Sequence, residues 1–154
     1  MKIALIGFGK MGREIDSIAR EQGDVIARVF DSRHVVRAEA LADVDVCIEF
    51  STPDAVLQNI RTAIEARRDI IVGTTGWDQH LPEIKAPMLF CQGSRDTFGT
   101  EDEIRGIIKN HRLPARIYPI EKGDHSFKVP KSLKPQQQVY EDVMDEVARW
   151  VSQL

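Results

Sequence analysis

The sequence predicts an α/β fold in which a doubly wound parallel sheet lies between two helical layers. Three observations point there. Short apolar runs alternate with amphipathic stretches along the 154 residues. The first run, Ile3 to Ile6, leads straight into Gly7-Phe8-Gly9-Lys10-Met11-Gly12, and a helical pattern follows. The runs also read as continuous apolar segments, as expected where helices cover both faces of a sheet.

The opening is the strand, glycine turn and helix of a Rossmann-like sheet. Gly7 permits the tight turn and Gly9 allows a pyrophosphate to approach the backbone. Gly12 lets helix and strand pack closely, and the helix start offers free N–H groups to an anion. Lys10 and Met11 belong to the same turn. Met11, Ile15, Ile18 and Ala19 recur at helical spacing, and Gln22-Gly23-Asp24 ends that helix. Val25 to Phe30 is the second strand. It finishes at Asp31, nineteen residues beyond Gly12, where a carboxylate binds ribose hydroxyls. Arg33 and Arg37 add attraction for a 2′-phosphate, so NAD and NADP both stay open.

Ala38 to Ala42 suggests one helical turn, and Asp45 to Phe50 the third strand. Ser51-Thr52-Pro53-Asp54 then opens a helix, with Pro53 in its first turn and Ser51 or Thr52 as cap. Ala55, Val56, Asn59, Ile60, Ala63 and Ile64 form its buried stripe. Asp69 to Val72 is the fourth strand, running into Gly73-Thr74-Thr75-Gly76-Trp77.

Through this point the chain resembles the nucleotide-binding domain of dihydrodipicolinate reductase over about residues 1–80. Gly7 to Gly12, Glu49-Phe50-Ser51-Thr52-Pro53 and Gly73-Thr74-Thr75-Gly76 carry the resemblance. It implies that Phe50, Ser51, Gly73 and Thr75 line the nicotinamide-ribose side of a cofactor groove, with Asp31 near the adenosine ribose. The substrate domain of that family, with its histidine-rich motif and lysine, does not follow.

Ala86 to Asp96 is instead an apolar strand ending in Gly-x-x-Asp. Thr100 and Glu103 make a capping box, Pro114 to Ile120 is another strand, and Glu121 to Phe127 a loop. A last helix runs from about Gln136 to Gln153, with Val139, Val143, Val147, Trp150 and Val151 on one face. From about Pro87 onward the chain resembles the C-terminal part of a dienelactone-hydrolase-like α/β-hydrolase. That resemblance makes Asp96 the triad acid and His125 the triad base. No Gly-x-Ser-x-Gly nucleophile elbow occurs, so the pair is vestigial and no catalytic set is complete. Ser51, Ser94 and Ser126 read as cap or turn residues.

The expected architecture is therefore one Rossmann-like domain over 1–154, a reductase-like half (1–85) joined to a hydrolase-like half (86–154). Six strands in order 3-2-1-4-5-6 would bring the glycine turn, Gly73 to Thr75, Asp96 and His125 to one rim. The join points to an engineered or recombined chimera, with a natural fusion or a natural NAD(P)-dependent reductase-like protein as alternatives. Its expected function is weak binding of NAD or NADP without catalysis; the competing reading is a residual esterase using Asp96 and His125.

Composition narrows the partners. Hydrophobic residues make up 42% and charged residues 29%, with a net charge of -3 and a pI near 5.8. These values fit a globular chain and oppose binding to nucleic acid or an anionic membrane. Lys10, Arg13, Arg61, Arg67 and Arg68 read as solvated helix faces. His34, His80 and His111 lack ligand spacing, so no metal is expected. Cys47 and Cys91 read as reduced core thiols, and the source families place the protein in the cytoplasm. A monomer or weak homodimer is expected.

Overall fold

The computed structural model describes all residues, 1–154, which divide into two compact units, Met1–His80 and Leu81–Leu154. In the first unit, β1 (Lys2–Ile6), α1 (Lys10–Glu21) and β2 (Val25–Phe30) form one βαβ unit. A 3-10 turn (Ala38–Leu41), β3 (Val46–Glu49), α2 (Pro53–Glu65) and β4 (Asp69–Val72) complete it.

All pairings in this sheet are parallel, and the order is β2-β1-β3-β4. This corrects the expected 3-2-1-4 order. After β2 the chain passes β1 and joins its other side. Asp45 N–H donates to the Lys2 carbonyl at 2.7 Å at one end of that pairing, and Phe50 N–H donates to the Ile6 carbonyl at 2.8 Å at the other. The sheet direction thus reverses between β1 and β3, not between β1 and β4, and ligand crevices of open α/β sheets form at such reversals.

Alternation along β1 explains why it lies at the centre. Ala4 and Ile6 enter a buried cluster with Phe30, Val36, Leu41, Val44, Cys47 and Ala63. Ile3 and Leu5 point the other way, to Ala19, with Phe8, Ile15, Ile26, Val46 and Ile48 packed around them. A buried Leu or Ile side chain contributes about 1.5–3 kcal/mol, so this strand anchors both layers. The expected stripe of α1 is narrower than its spacing suggested: Ala19 is buried and Ile15 half-buried, while Met11 and Ile18 are exposed. In α2, Val56, Asn59, Ile60 and Ala63 are buried but Ile64 is exposed. Val25 and Val29 of β2 and Ile71 of β4 are exposed too, as edge strands allow.

The second unit contains β5 (Met88–Gly93), α3 (Glu101–His111), β6 (Ala115–Ile120) and α4 (Gln136–Val151). The two strands pair in parallel from Met88 with Ala115 to Gly93 with Ile120, as a two-stranded sheet. The protein therefore has a sheet of four and a sheet of two in place of one six-stranded sheet. The expected common rim rested on that single sheet.

The Thr100 hydroxyl accepts from Glu103 N–H at 3.3 Å, while Glu103 Oε2 accepts from Thr100 N–H at 2.7 Å. This reciprocal capping box starts α3. Arg112 ends the helix in the left-handed region with φ 51°. Ile104, Leu113, Ile120 and Val139 are buried. Glu146 is buried on α4 and is met by Arg149 and by Arg116, the latter at 3.5 Å. Cys47 and Cys91 are free thiols. No helix is long and apolar enough to cross a membrane.

Candidate functional site

At the carboxyl end of β1 the three motif glycines have different physical reasons to be glycine. Gly7 has φ 94°, and a Cβ there would lie 2.2 Å from the Phe50 carbonyl oxygen. A Cβ on Gly12 would lie 2.2 Å from the Gly7 carbonyl oxygen. Both positions are closed by backbone. Gly9 differs: it precedes α1 with φ -79°, and a Cβ on it would meet nothing within 4 Å. No side chain caps α1, and Lys10 and Met11 beside Gly9 are exposed. Arg13 sits over the Phe8 ring at 5.6 Å.

Asp31 follows β2 directly. Its carboxylate accepts from Arg33 Nη2 at 2.6 Å and from Arg33 N–H at 2.9 Å, and His34 Nδ1 lies 2.8 Å away. These Arg33 bonds, then the His34 contact, hold the carboxyl well below the usual carboxylate range. Arg33, considered above for a 2′-phosphate, is thus engaged by Asp31.

Between β3 and β4 lies a polar cluster that sequence reasoning missed. Glu49 is fully buried. Its Oε1 accepts from Ser51 N–H at 3.0 Å, from the Ser51 hydroxyl, and from Asn59 Nδ2 at 3.2 Å. Its Oε2 accepts from Thr74 Oγ1 at 2.6 Å. Asn59, expected in the buried stripe of α2, is buried there, and its amide serves this carboxylate. The available signal was Glu49 itself, two residues from buried Cys47 and therefore on the same inward face of its strand. Trp77 Nε1 donates to the Thr74 carbonyl at 2.8 Å and fixes the loop after β4.

Phe50 is half-buried, with its ring over Gly73: a Cβ on Gly73 would lie 2.1 Å from it. Ser51 is half-buried and Thr75 exposed. The glycine turn, Phe50, Ser51, Gly73 and Thr75 all follow the carboxyl ends of adjacent strands β1, β3 and β4, with Asp31 after β2 on the other side of β1. A depression of about 430 Å³ lined by Met1, Lys2, Val25, Asp43, Asp45 and Arg68 lies at the opposite, amino-terminal edge. It contains none of these groups.

In the second unit, Asp96 is buried after β5 and His125 is exposed in the loop after β6. His125 Nδ1 lies 3.0 Å from Asp96 Oδ2. Asp96 also accepts from Phe98 N–H at 2.9 Å and Gln92 Nε2 at 3.0 Å, and Phe98 packs against the imidazole with ring centroids 4.7 Å apart. The expected acid and base do meet. Of the nearby serines, Ser94 Oγ accepts from Lys122 N–H at 2.9 Å, and Ser126 N–H donates to Asp124 Oδ1 at 2.8 Å.

The fold and the glycine turn define the first unit as Rossmann-like, with its strand order reversing between β1 and β3. Residues 1–88 match the family described as dihydrodipicolinate reductase, N-terminus, and residues 76–152 match an alpha/beta hydrolase domain. The chain belongs to the reductase N-terminus family over the first span and to the hydrolase-domain family over the second. It is 38% identical over 79 residues to 4-hydroxy-tetrahydrodipicolinate reductase of Christiangramia forsetii, covering 50% of this chain and 32% of that protein. It is 29% identical over 89 residues to the protein of the same name from Bifidobacterium longum subsp. infantis, covering 56% of this chain and 36% of that one. The chain spans about a third of the length of these curated relatives.

Proposed function

We propose that the first unit binds a dinucleotide, NAD or NADP, weakly, and that the chain completes no catalytic site. The pyrophosphate lies against Gly7, Gly9, Lys10, Met11 and Gly12, the adenosine ribose against Asp31, and the nicotinamide ribose near Phe50, Ser51, Gly73 and Thr75. The observation that carries this reading is the open space over Gly9 in front of an uncapped helix start, between two glycines that the backbone closes. The space and its N–H donors fit a pyrophosphate. Affinity is weak in this reading because the match covers only 32% of the reductase, and binding alone places no substrate at a nicotinamide. Titration with NADH and NADPH tests it. Saturable binding that Gly9→Trp abolishes is expected; no binding at millimolar cofactor rejects the proposal.

The chain is a recombined or engineered chimera in this reading, supported by two family matches that meet between residues 76 and 88. The Asp96–His125 contact favours a second reading, residual ester hydrolysis. Hydrolysis of an activated ester that disappears in His125→Ala would support it; equal rates for both proteins would end it.

A further inference from the structure

The Glu49 carboxylate makes a donor–acceptor choice for the groove. It accepts from every group that reaches it, and two of those groups are hydroxyls at the ligand edge of the sheet. A hydroxyl has one proton to give. Ser51 gives its proton to Oε1, and its oxygen also accepts from Asn59 Nδ2 at 3.2 Å. Thr74 gives its proton to Oε2. Both residues are half-buried, and each oxygen keeps a lone pair but has no proton left to offer.

We propose that Glu49 is a positioning residue that sets the hydrogen-bonding polarity of the β3–β4 side of the groove. By consuming the hydroxyl protons of Ser51 and Thr74, it leaves acceptors facing the ligand, backed by a buried carboxylate. That side takes a neutral, donor-rich group such as an amide N–H or a ribose hydroxyl, and it repels an anion. The start of α1 has the opposite character: uncapped N–H groups at the positive end of a helix dipole. The crevice is thus polarised, and a ligand spanning it has its anion over Gly9 and its donor-rich end at Ser51 and Thr74. This inference rests on the dinucleotide reading and adds to it the residue that sets the polarity of that side.

The experiment compares NADH with ADP, which keeps the adenosine and pyrophosphate but lacks the nicotinamide and its ribose. Calorimetric titration of the whole chain is expected to show NADH binding about tenfold tighter, the effect of one or two hydrogen bonds. Glu49→Gln substitutes an amide that can donate back to these hydroxyls. It should erase the difference while ADP affinity changes less than about twofold. Thr74→Val, a gentler change, should reduce the same ratio and decides the matter if Glu49→Gln does not fold, as judged by circular dichroism. Equal binding of the two ligands by the unaltered protein overturns the inference alone, as does a NADH preference kept in the folded variants. Failure of both ligands to bind overturns the dinucleotide reading and this inference with it.

Discussion

Asp96 Oδ2 and His125 Nδ1 lie 3.0 Å apart, joining a buried carboxylate to an exposed imidazole across 29 residues of sequence. Asp96 also accepts from Phe98 N–H and Gln92 Nε2, and its removal takes the acceptor from Phe98 N–H while Gln92 keeps the Gly99 carbonyl. Asp96→Ala should therefore cost about 1–3 kcal/mol in urea unfolding. His125→Ala, which loses an exposed ring, should cost less than about 1 kcal/mol. Equal losses would show that the pair contributes to stability chiefly through the histidine.

The glycine turn should separate folding from binding. Gly7→Ala meets a positive φ and a carbonyl oxygen at 2.2 Å, so a loss of at least about 2 kcal/mol is expected. Gly9→Ala meets nothing and should change stability by no more than about 1 kcal/mol. Urea midpoints of the two variants check this ranking.

The capping box predicts a local effect in the second unit. Thr100→Ala removes the acceptor for Glu103 N–H and should cost about 0.5–2 kcal/mol. Thr100→Ser, which keeps the oxygen, should restore most of it. Thermal midpoints of the three proteins give the comparison.

Burial pushes both thiols up to about 11, with Glu146 adding to the effect at Cys91 and Arg68 opposing it at Cys47. Cysteines ionise near pH 8.5 when unfolded, so folding is favoured fully below that value. The contribution declines as pH rises towards about 11, because the unfolded chain then releases protons that the folded chain keeps. In the native protein at pH 8, both thiols should react slowly with a disulfide reagent, and in urea both should react at once. Fast native reaction at either position contradicts the burial.

Asp31 titrates with the opposite sign. Its carboxyl is held low by Arg33 and His34, so its contribution is present above the usual carboxylate range and is lost as pH falls below it. Asp31→Asn should flatten the stability profile in acid. An unchanged profile between about pH 5 and pH 2 contradicts the lowered value.

Local patterns recovered the elements closely. Val25–Phe30 and Asp69–Val72 are strands with the expected ends, and Thr100 with Glu103 starts a helix as expected. The family resemblances of both spans were also legible, because the glycine motifs are contiguous, as are Gly123, Asp124, His125, Ser126 and Phe127 in the loop after β6. Strand order was not legible. Whether the chain after Phe30 returns past β1 depends on contacts such as Asp45 with Lys2, 43 residues apart, which no local period encodes. The Glu49 cluster escaped for a related reason: Ser51, Asn59 and Thr74 are 2, 10 and 25 residues from it. Each looked like a cap, a stripe position or a loop hydroxyl when taken alone.

The unequal surroundings of the three motif glycines bear on any effort to improve nucleotide capture. Mutant libraries at positions 7 and 12 would spend most of their members on chains that do not fold. Diversity at position 9 and in the exposed neighbours Lys10 and Met11 leaves the scaffold intact, so selection there can act on affinity.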